Sequence, residues 1–276
     1  MIKKYKILWG IMLLILIVLV RSLLFLPDGE LHIIACNVGQ GDGLLIIKDS
    51  IQIVVDGGPN NAISSCVSNH VPFWDREIEM VILTNPDFDH YYGLIELVKS
   101  YNIDLFVAND IKKEGEEYKA LTDTIKQKDI AVSNPLAGTQ MKVGDISLDF
   151  VWPQEIGSRS INELSLVFNL RYGEFDALFT GDIEPGAIDE VIQTGKIYDI
   201  DYLKVPHHGS RNGLSYELLE ISNPELAVIS SGKNNRYGHP SPEVIKLLSD
   251  QGTKILRTDL QGEVEVITDG ESWWVK

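Results

Sequence analysis

Residues 79–101 read EMVILTNPDFDHYYGLIELVKSY. Glu79–Thr84 is a short apolar run with β-branched residues, which predicts a strand. Leu94, Ile95, Leu97 and Val98 fall at helical spacing and predict a helix over 90–101. Between them, Asn85-Pro86-Asp87-Phe88-Asp89-His90 crowds two carboxylates and an imidazole into one turn. Carboxylate oxygens and imidazole nitrogens are the usual ligands of zinc, manganese or iron, and adjacent Asp89 and His90 can serve one ion. The plainer reading is that Asp87 or Asp89 caps the helix.

Outward from this turn, the arrangement recurs. A predicted strand Ala177–Thr180 is followed by Gly181-Asp182, and Asp201–Val205 by Pro206-His207-His208-Gly209-Ser210. Leu226–Ser230 leads into a loop from Gly232 to Pro240 that holds Lys233, Asn235, Arg236 and His239. Layered α/β folds gather their sites at strand ends. Further strands are predicted at Leu31–Cys36, Gly43–Lys48, Ile51–Asp56, Met141–Val143, Ile146–Trp152, Leu164–Tyr172, Lys254–Arg257 and Glu263–Thr268. Helices are predicted at Glu114–Lys128 and Pro185–Thr194, and near 214–222 and 241–250. No linker divides the two β-rich halves, so one layered α/β domain is expected.

The chain's 276 residues hold 24 basic and 40 acidic side chains, a formal charge of −16. Residues 1–26 carry Lys3, Lys4, Lys6 and Arg21 and no acid, which leaves the rest at −20. Such acidity argues against coating duplex DNA through a broad basic face. Ile7 to Leu26 is long enough to cross a bilayer of about 30 Å, and the flanking lysines belong on the cytoplasmic side. The expectation is a membrane anchor over 1–27 and an extracytoplasmic domain over 28–276. A cleaved signal peptide is the alternative, although no A-x-A site follows. Ile33-Ile34-Ala35-Cys36 loosely matches a lipoprotein box but lies inside a strand pattern. Cys36 and Cys66 fit either one disulfide or two buried thiols.

The order and flanks of these motifs resemble the metallo-β-lactamase superfamily, and more closely the C-terminal domain of ComEC-type competence proteins. The resemblance rests on Val38–Asp42, Val55–Gly58, Leu83–His90, Asn162–Val167, Leu178–Glu184, Lys204–Ser210 and Asn234–Pro240. It spans residues 31 to about 268 and implies an αββα sandwich with one or two divalent ions between two sheets. Asp89 and His90 match the end of the family's H-x-H-x-D-H motif, Asp182 its bridging aspartate and His208 its late histidine. Asn85 and Asp87 stand where the motif's first two histidines are expected, and Asn162 near its separate histidine.

The implied ligands are therefore Asp87, Asp89, His90, Asp182 and His208, with one sound and one weakened metal position. Manganese, zinc or magnesium would serve, and oxygen ligands at the weakened position favour manganese or magnesium. Asp89, His207 and His239 are the catalytic candidates. Asn162, Lys204, Ser210, Lys233, Asn235 and Arg236 are candidates to hold a phosphodiester; Arg211 reads more as surface charge. Asp42 and Asp56 look like carboxylates behind the ligands, with a plain turn role equally open for Asp56. His32 and His70 read as structural, and Trp273-Trp274 as closing the core.

The reading that follows is a membrane-anchored, metal-dependent phosphodiesterase acting on single-stranded DNA during uptake. It would work beside a separate DNA-channel protein, because these residues hold no counterpart of the family's multi-helix channel region. Bound cations, not a basic face, would supply the positive charge. Two alternatives stand beside it: a degenerate, non-catalytic module that binds DNA or a partner, and a hydrolase of a small phosphoester, lactone or cell-wall substrate.

Overall fold

The computed structural model describes residues 5, 9–13, 16, 27–111 and 113–276. In chain order its strands are β1 (Leu31–Ala35), β2 (Leu44–Lys48), β3 (Ile51–Val55), β4 (Glu77–Leu83), β5 (Asn102–Ala108), β6 (Ala131–Ser133), β7 (Gln140–Val143) and β8 (Ile146–Trp152). They continue as β9 (Val167–Tyr172), β10 (Phe175–Phe179), β11 (Tyr202–Lys204), β12 (Leu226–Ile229), β13 (Lys254–Arg257), β14 (Val264–Thr268) and β15 (Trp273–Val275). One sheet has the order β15-β14-β1-β2-β3-β4-β5-β6 and the other β13-β12-β11-β10-β9-β8-β7. The β3–β4–β5–β6 and β10–β11–β12–β13 runs are parallel.

Alternation along each strand builds three apolar layers. Ile53 and Val55 of β3 face the core between the sheets, whereas Val54 faces the helices Ala62–His70, Leu94–Ser100 and Glu116–Gln127. In the second sheet, Leu226 and Val228 face inward, while Ala227 and Ile229 pack under Pro185–Gln193, Tyr216–Ser222 and Pro242–Asp250. Such double burial explains why the parallel strands read as continuous apolar runs. Phe150, Phe168, Phe179 and Tyr202 form a chain of rings through the inner core, with successive centroids 5.4, 4.8 and 5.8 Å apart. The architecture is the αββα sandwich that the resemblance implied.

The predicted 90–101 helix is two helices, Phe88–Tyr91 and Leu94–Ser100. The break falls at Gly93, where a Cβ would lie 2.0 Å from the Gly57 carbonyl oxygen, so only glycine lets the two backbones meet. Asp87 occupies the N-cap position without a side-chain cap bond, and Asp89 lies inside the first turn. Helix capping therefore does not account for either carboxylate. β5 escaped the sequence pattern because Asn102 and Asp104 interrupt it with outward-facing polar residues.

Cys36 and Cys66 form a disulfide, with Cα atoms 6.0 Å apart. It closes a sequence separation of 30, which stabilises the fold by about 3–4 kcal/mol in the chain-entropy account. Trp273 packs at the core edge and donates to Glu225 at 2.9 Å, while Trp274 stays exposed. His32 and His70 sit against Glu265 and Glu263, consistent with structural roles. The expected membrane anchor, Ile7–Leu26, lies mostly outside the described residues. Within it, residues 9–13 are helical, and Trp9, Ile11, Met12 and Leu13 are exposed. Among the described residues, no helix is long and apolar enough to cross a membrane.

Candidate metal centre

The segments that follow β1, β3, β4, β10, β11 and β12 meet between the sheets and bring Asp42, Asp56, His90, Asp182, His208 and Ser230 together. Gly41 makes the approach possible: a Cβ there would lie 2.3 Å from the Asp89 carbonyl oxygen, to which the Asp42 N–H donates at 3.2 Å. His207 and His208 both adopt left-handed backbone, with φ of 49° and 54°. For non-glycine residues this conformation costs on the order of 1–3 kcal/mol each and is concentrated at functional sites.

Each buried imidazole is gripped from behind. Asp56 Oδ2 lies 2.9 Å from His90 Nδ1, and Thr84 fixes that carboxylate through its N–H at 2.8 Å and its hydroxyl at 2.6 Å. His208 Nδ1 lies 3.1 Å from Asp42 Oδ1 and 3.1 Å from the Ser230 carbonyl. Lys204 Nζ donates to the other Asp42 oxygen at 2.6 Å. These acceptors put the proton on Nδ1 and turn each Nε2 lone pair inward. His90 Nε2 then faces Asp182 Oδ2 at 3.1 Å, and His208 Nε2 faces Asp89 Oδ2 at 3.4 Å and Asp182 Oδ2 at 3.5 Å.

His90 Nε2, His208 Nε2 and Asp182 Oδ1 are buried without a hydrogen-bond partner. Unprotonated imidazole lone pairs facing carboxylates repel; a divalent cation would satisfy all of them. Two nitrogens and two carboxylates suit zinc, manganese or iron. The residues present fit an ion held by Asp89, His90, Asp182 and His208. This is the set read from the motif order, without Asp87.

The charges agree. Burial works against charging His90, but Asp182 and Asp56 outweigh it and hold the ring well above the usual histidine range. Asp182 and Asp42 do the same for His208. Burial would raise the Asp182 carboxyl, yet His208 and His90 keep it well below its ordinary value. Asp89 is lowered against burial by the same two rings. Asp42 is lowered to about 2, because Lys204 and His208 overcome its burial. Asp56 goes the other way: burial raises it despite His90. Protons on the imidazoles and a divalent ion answer the same carboxylates, so they compete.

The neighbouring position is different. Asn85 donates to Asn162 Oδ1 at 2.8 Å and to Ser165 Oγ at 3.3 Å, and its Oδ1 accepts from the Asp87 N–H at 2.9 Å. Asn162 in turn donates to Glu184 at 3.0 Å. The expectation that Asp87 is a ligand is corrected: its carboxylate turns outward to pair with Lys113.

Several substrate-binding expectations are corrected too. Lys204 is buried against Asp42 and cannot reach a phosphate. Asn235 holds its own loop, donating to the Gly232 and His239 carbonyls and accepting from the Tyr237 and His239 N–H groups. Ser210 is buried and its hydroxyl accepts from the Asn212 N–H. Arg211 pairs with Glu243 as surface charge. Lys233 and Arg236 are exposed on the 232–240 loop.

Asp89 keeps a third of its side chain exposed, at the rim of the centre. His207 Nε2 lies 3.9 Å from Asp182, and its Nδ1 lies 3.4 Å from Glu184. The half-buried His239 ring is 6.0 Å from the His207 ring, and burial, with the nearby His208 and His207, lowers its pKa. The three catalytic candidates thus share one rim. Sequence reasoning missed Thr84, Ser230, Ser165, Glu184 and Lys113. Thr84 and Glu184 lie inside the quoted motifs; Lys113, 26 positions from Asp87, carries no local signal.

The metallo-beta-lactamase superfamily model matches residues 36–233. ComE operon protein 3 of Bacillus subtilis is 28% identical over 257 residues, covering 86% of this chain and 33% of that protein. Recombination protein 2 of Haemophilus influenzae is 29% identical over 263 residues, covering 94% and 31%. The chain therefore spans about a third of the length of these relatives. Among solved structures, the metallo-beta-lactamase fold protein YhfI of Bacillus subtilis superposes with a TM-score of 0.58 at 10% identity, covering 89% of this chain and all of that one. This chain belongs to the metallo-β-lactamase superfamily.

Proposed function

We propose that this superfamily member is a metal-dependent phosphodiesterase that cleaves single-stranded DNA in a competence-like uptake role. The observation that carries the reading is the convergence of Asp89, His90, Asp182 and His208 around buried atoms that lack partners. A divalent ion held by these residues would supply Lewis acidity and a nucleophilic water at neutral pH. Asp89, a third exposed, would orient the attacking water. His239, kept neutral by burial, is a proton acceptor at the rim. His207 offers a hydrogen bond to a phosphate oxygen. Asp42, Asp56, Thr84 and Ser230 hold the imidazoles in one tautomer, the role that outer partners play at metal sites.

The N-terminal segment anchors the domain on the outer face of the cell membrane, next to a separate DNA-channel protein. The lysine-flanked apolar run and the disulfide support this, since disulfides persist in oxidising compartments.

Incubating the full-length chain in detergent with labelled single-stranded DNA and Mn²⁺ tests the activity. Cleavage that Asp182→Ala abolishes is expected; no cleavage, or no difference between the two proteins, sinks the reading. The hydrogen-bonded Asn85–Asn162 position favours a second reading, a non-catalytic module that binds DNA or a partner. Less than one ion per chain at saturating metal, with DNA binding retained, would select it.

A further inference from the structure

Two exposed aromatic rings adjoin residues of the rim: Phe88 precedes Asp89 in the chain, and Tyr237 stacks on His239. Phe88, between Asp87 and Asp89, is 48% exposed and rests on the Tyr92 ring at 4.6 Å. Tyr237 is 55% exposed and stacks on His239 at 5.7 Å with the planes 29° apart. The Arg236 guanidinium sits 4.9 Å from the Tyr237 centroid and donates to its hydroxyl at 2.7 Å. Each ring is thus braced by its neighbours and keeps about half of its surface in solvent.

The cations near this rim are mostly committed. Lys204 is buried against Asp42, Lys113 pairs with Asp87 and Arg211 with Glu243. A polyanionic strand therefore finds Lys233 and Arg236 as its exposed cations here, and the faces of its bases are a further handle. Base–aromatic stacking, reinforced by arginine, is how single strands are held without sequence preference, and paired bases in a duplex do not offer those faces.

We propose that Phe88, next to Asp89, and Tyr237, against His239, are stacking shelves for unpaired nucleobases, with Arg236 bracing the Tyr237 shelf. The proposal rests on the phosphodiesterase reading in taking a nucleic acid strand as the ligand. It adds that the bases, more than the backbone, supply the affinity.

The test measures binding of the full-length chain in detergent with Mn²⁺, by fluorescence anisotropy. The probes are oligo-dT and an abasic strand of equal length, both linked by phosphorothioates to hold cleavage off. Tighter binding of oligo-dT than of the abasic strand is expected. Phe88→Leu and Tyr237→Leu should each weaken oligo-dT binding about 5- to 100-fold and leave the abasic strand unaffected, with Tyr237→Trp restoring the preference. An unchanged Tm shows that each variant folds. Equal affinity of the wild type for both strands overturns the proposal, as does weakening of both strands alike in the leucine variants. If phosphodiesters are cleaved but the base preference is missing, the shelves fall and the catalytic reading stands. If the base preference holds but nothing is cleaved, the catalytic reading falls and the shelves stand.

Discussion

Two side-by-side positions follow the same strand, β4, and end differently. At one, His90 is held from behind by Asp56 and presents a bare nitrogen to Asp182. At the other, Asn85 spends both ends of its carboxamide on Asn162, Ser165 and the Asp87 backbone. With its imidazoles neutral, the first is a set of acceptors that only a proton or a cation can satisfy; the second is a set of donors and acceptors that satisfy one another. What makes a ligand is therefore not residue type alone but what is left over once local hydrogen bonds are made.

The strongest way to break this comparison is to remove a leftover acceptor. Asp182→Ala should lower Mn²⁺ affinity, measured by calorimetry, by more than the roughly 100-fold that loss of an outer partner costs. Asp42→Asn comes next. It should lower metal affinity about 10- to 100-fold. It should also cost about 3–5 kcal/mol in urea unfolding, because Lys204 is left buried beside a neutral amide. Asn85→Ala sharpens the contrast. It should cost about 1 kcal/mol of stability for its lost hydrogen bonds and leave Mn²⁺ affinity nearly unchanged. If it removes metal as Asp182→Ala does, the two positions are one site.

Acidity offers a subtler probe. In the metal-free chain, His90 and His208 are held above their ordinary values. Their protonation stabilises the fold fully below about pH 6.5, and the contribution is lost as pH rises through the raised values. A chelator should therefore lower Tm more at pH 9 than at pH 6. Equal shifts at both would mean that these rings do not share the metal's carboxylates. The smallest effect lies away from the centre. His32 is raised chiefly by its hydrogen bond to Glu265. His32→Gln should cost up to about 1 kcal/mol at pH 6 and little at pH 9.

Much of this was legible in the sequence. The strand ends before His90, Asp182 and His208 could be read because doubly buried strands are apolar throughout and stop at polar turns. Asp42 was assigned behind the ligands, where it stands against His208. Side-chain direction was not legible. Lys204 lies within a ligand loop by sequence, yet its amine turns into the core. Asp87 and Lys113, and Asn85 and Asn162, meet only through the tertiary fold. Asn235 turns on its own loop, a local bonding habit that competes with any outward role.

The hydrogen bond from Ser230 to the Gly41 carbonyl joins residues 189 positions apart, and the ligands are drawn from both sheets. That spread sets a timetable. At roughly 5–20 residues per second, His90 leaves the ribosome about 6–24 s before His208. During that interval Asp89 and His90 exist without His208, and for most of it without Asp182. Ion capture at these residues would thus be a late event in the life of each molecule. It would report that the second sheet has been made and docked, and a chain cut short before His208 would lack a ligand of the proposed centre.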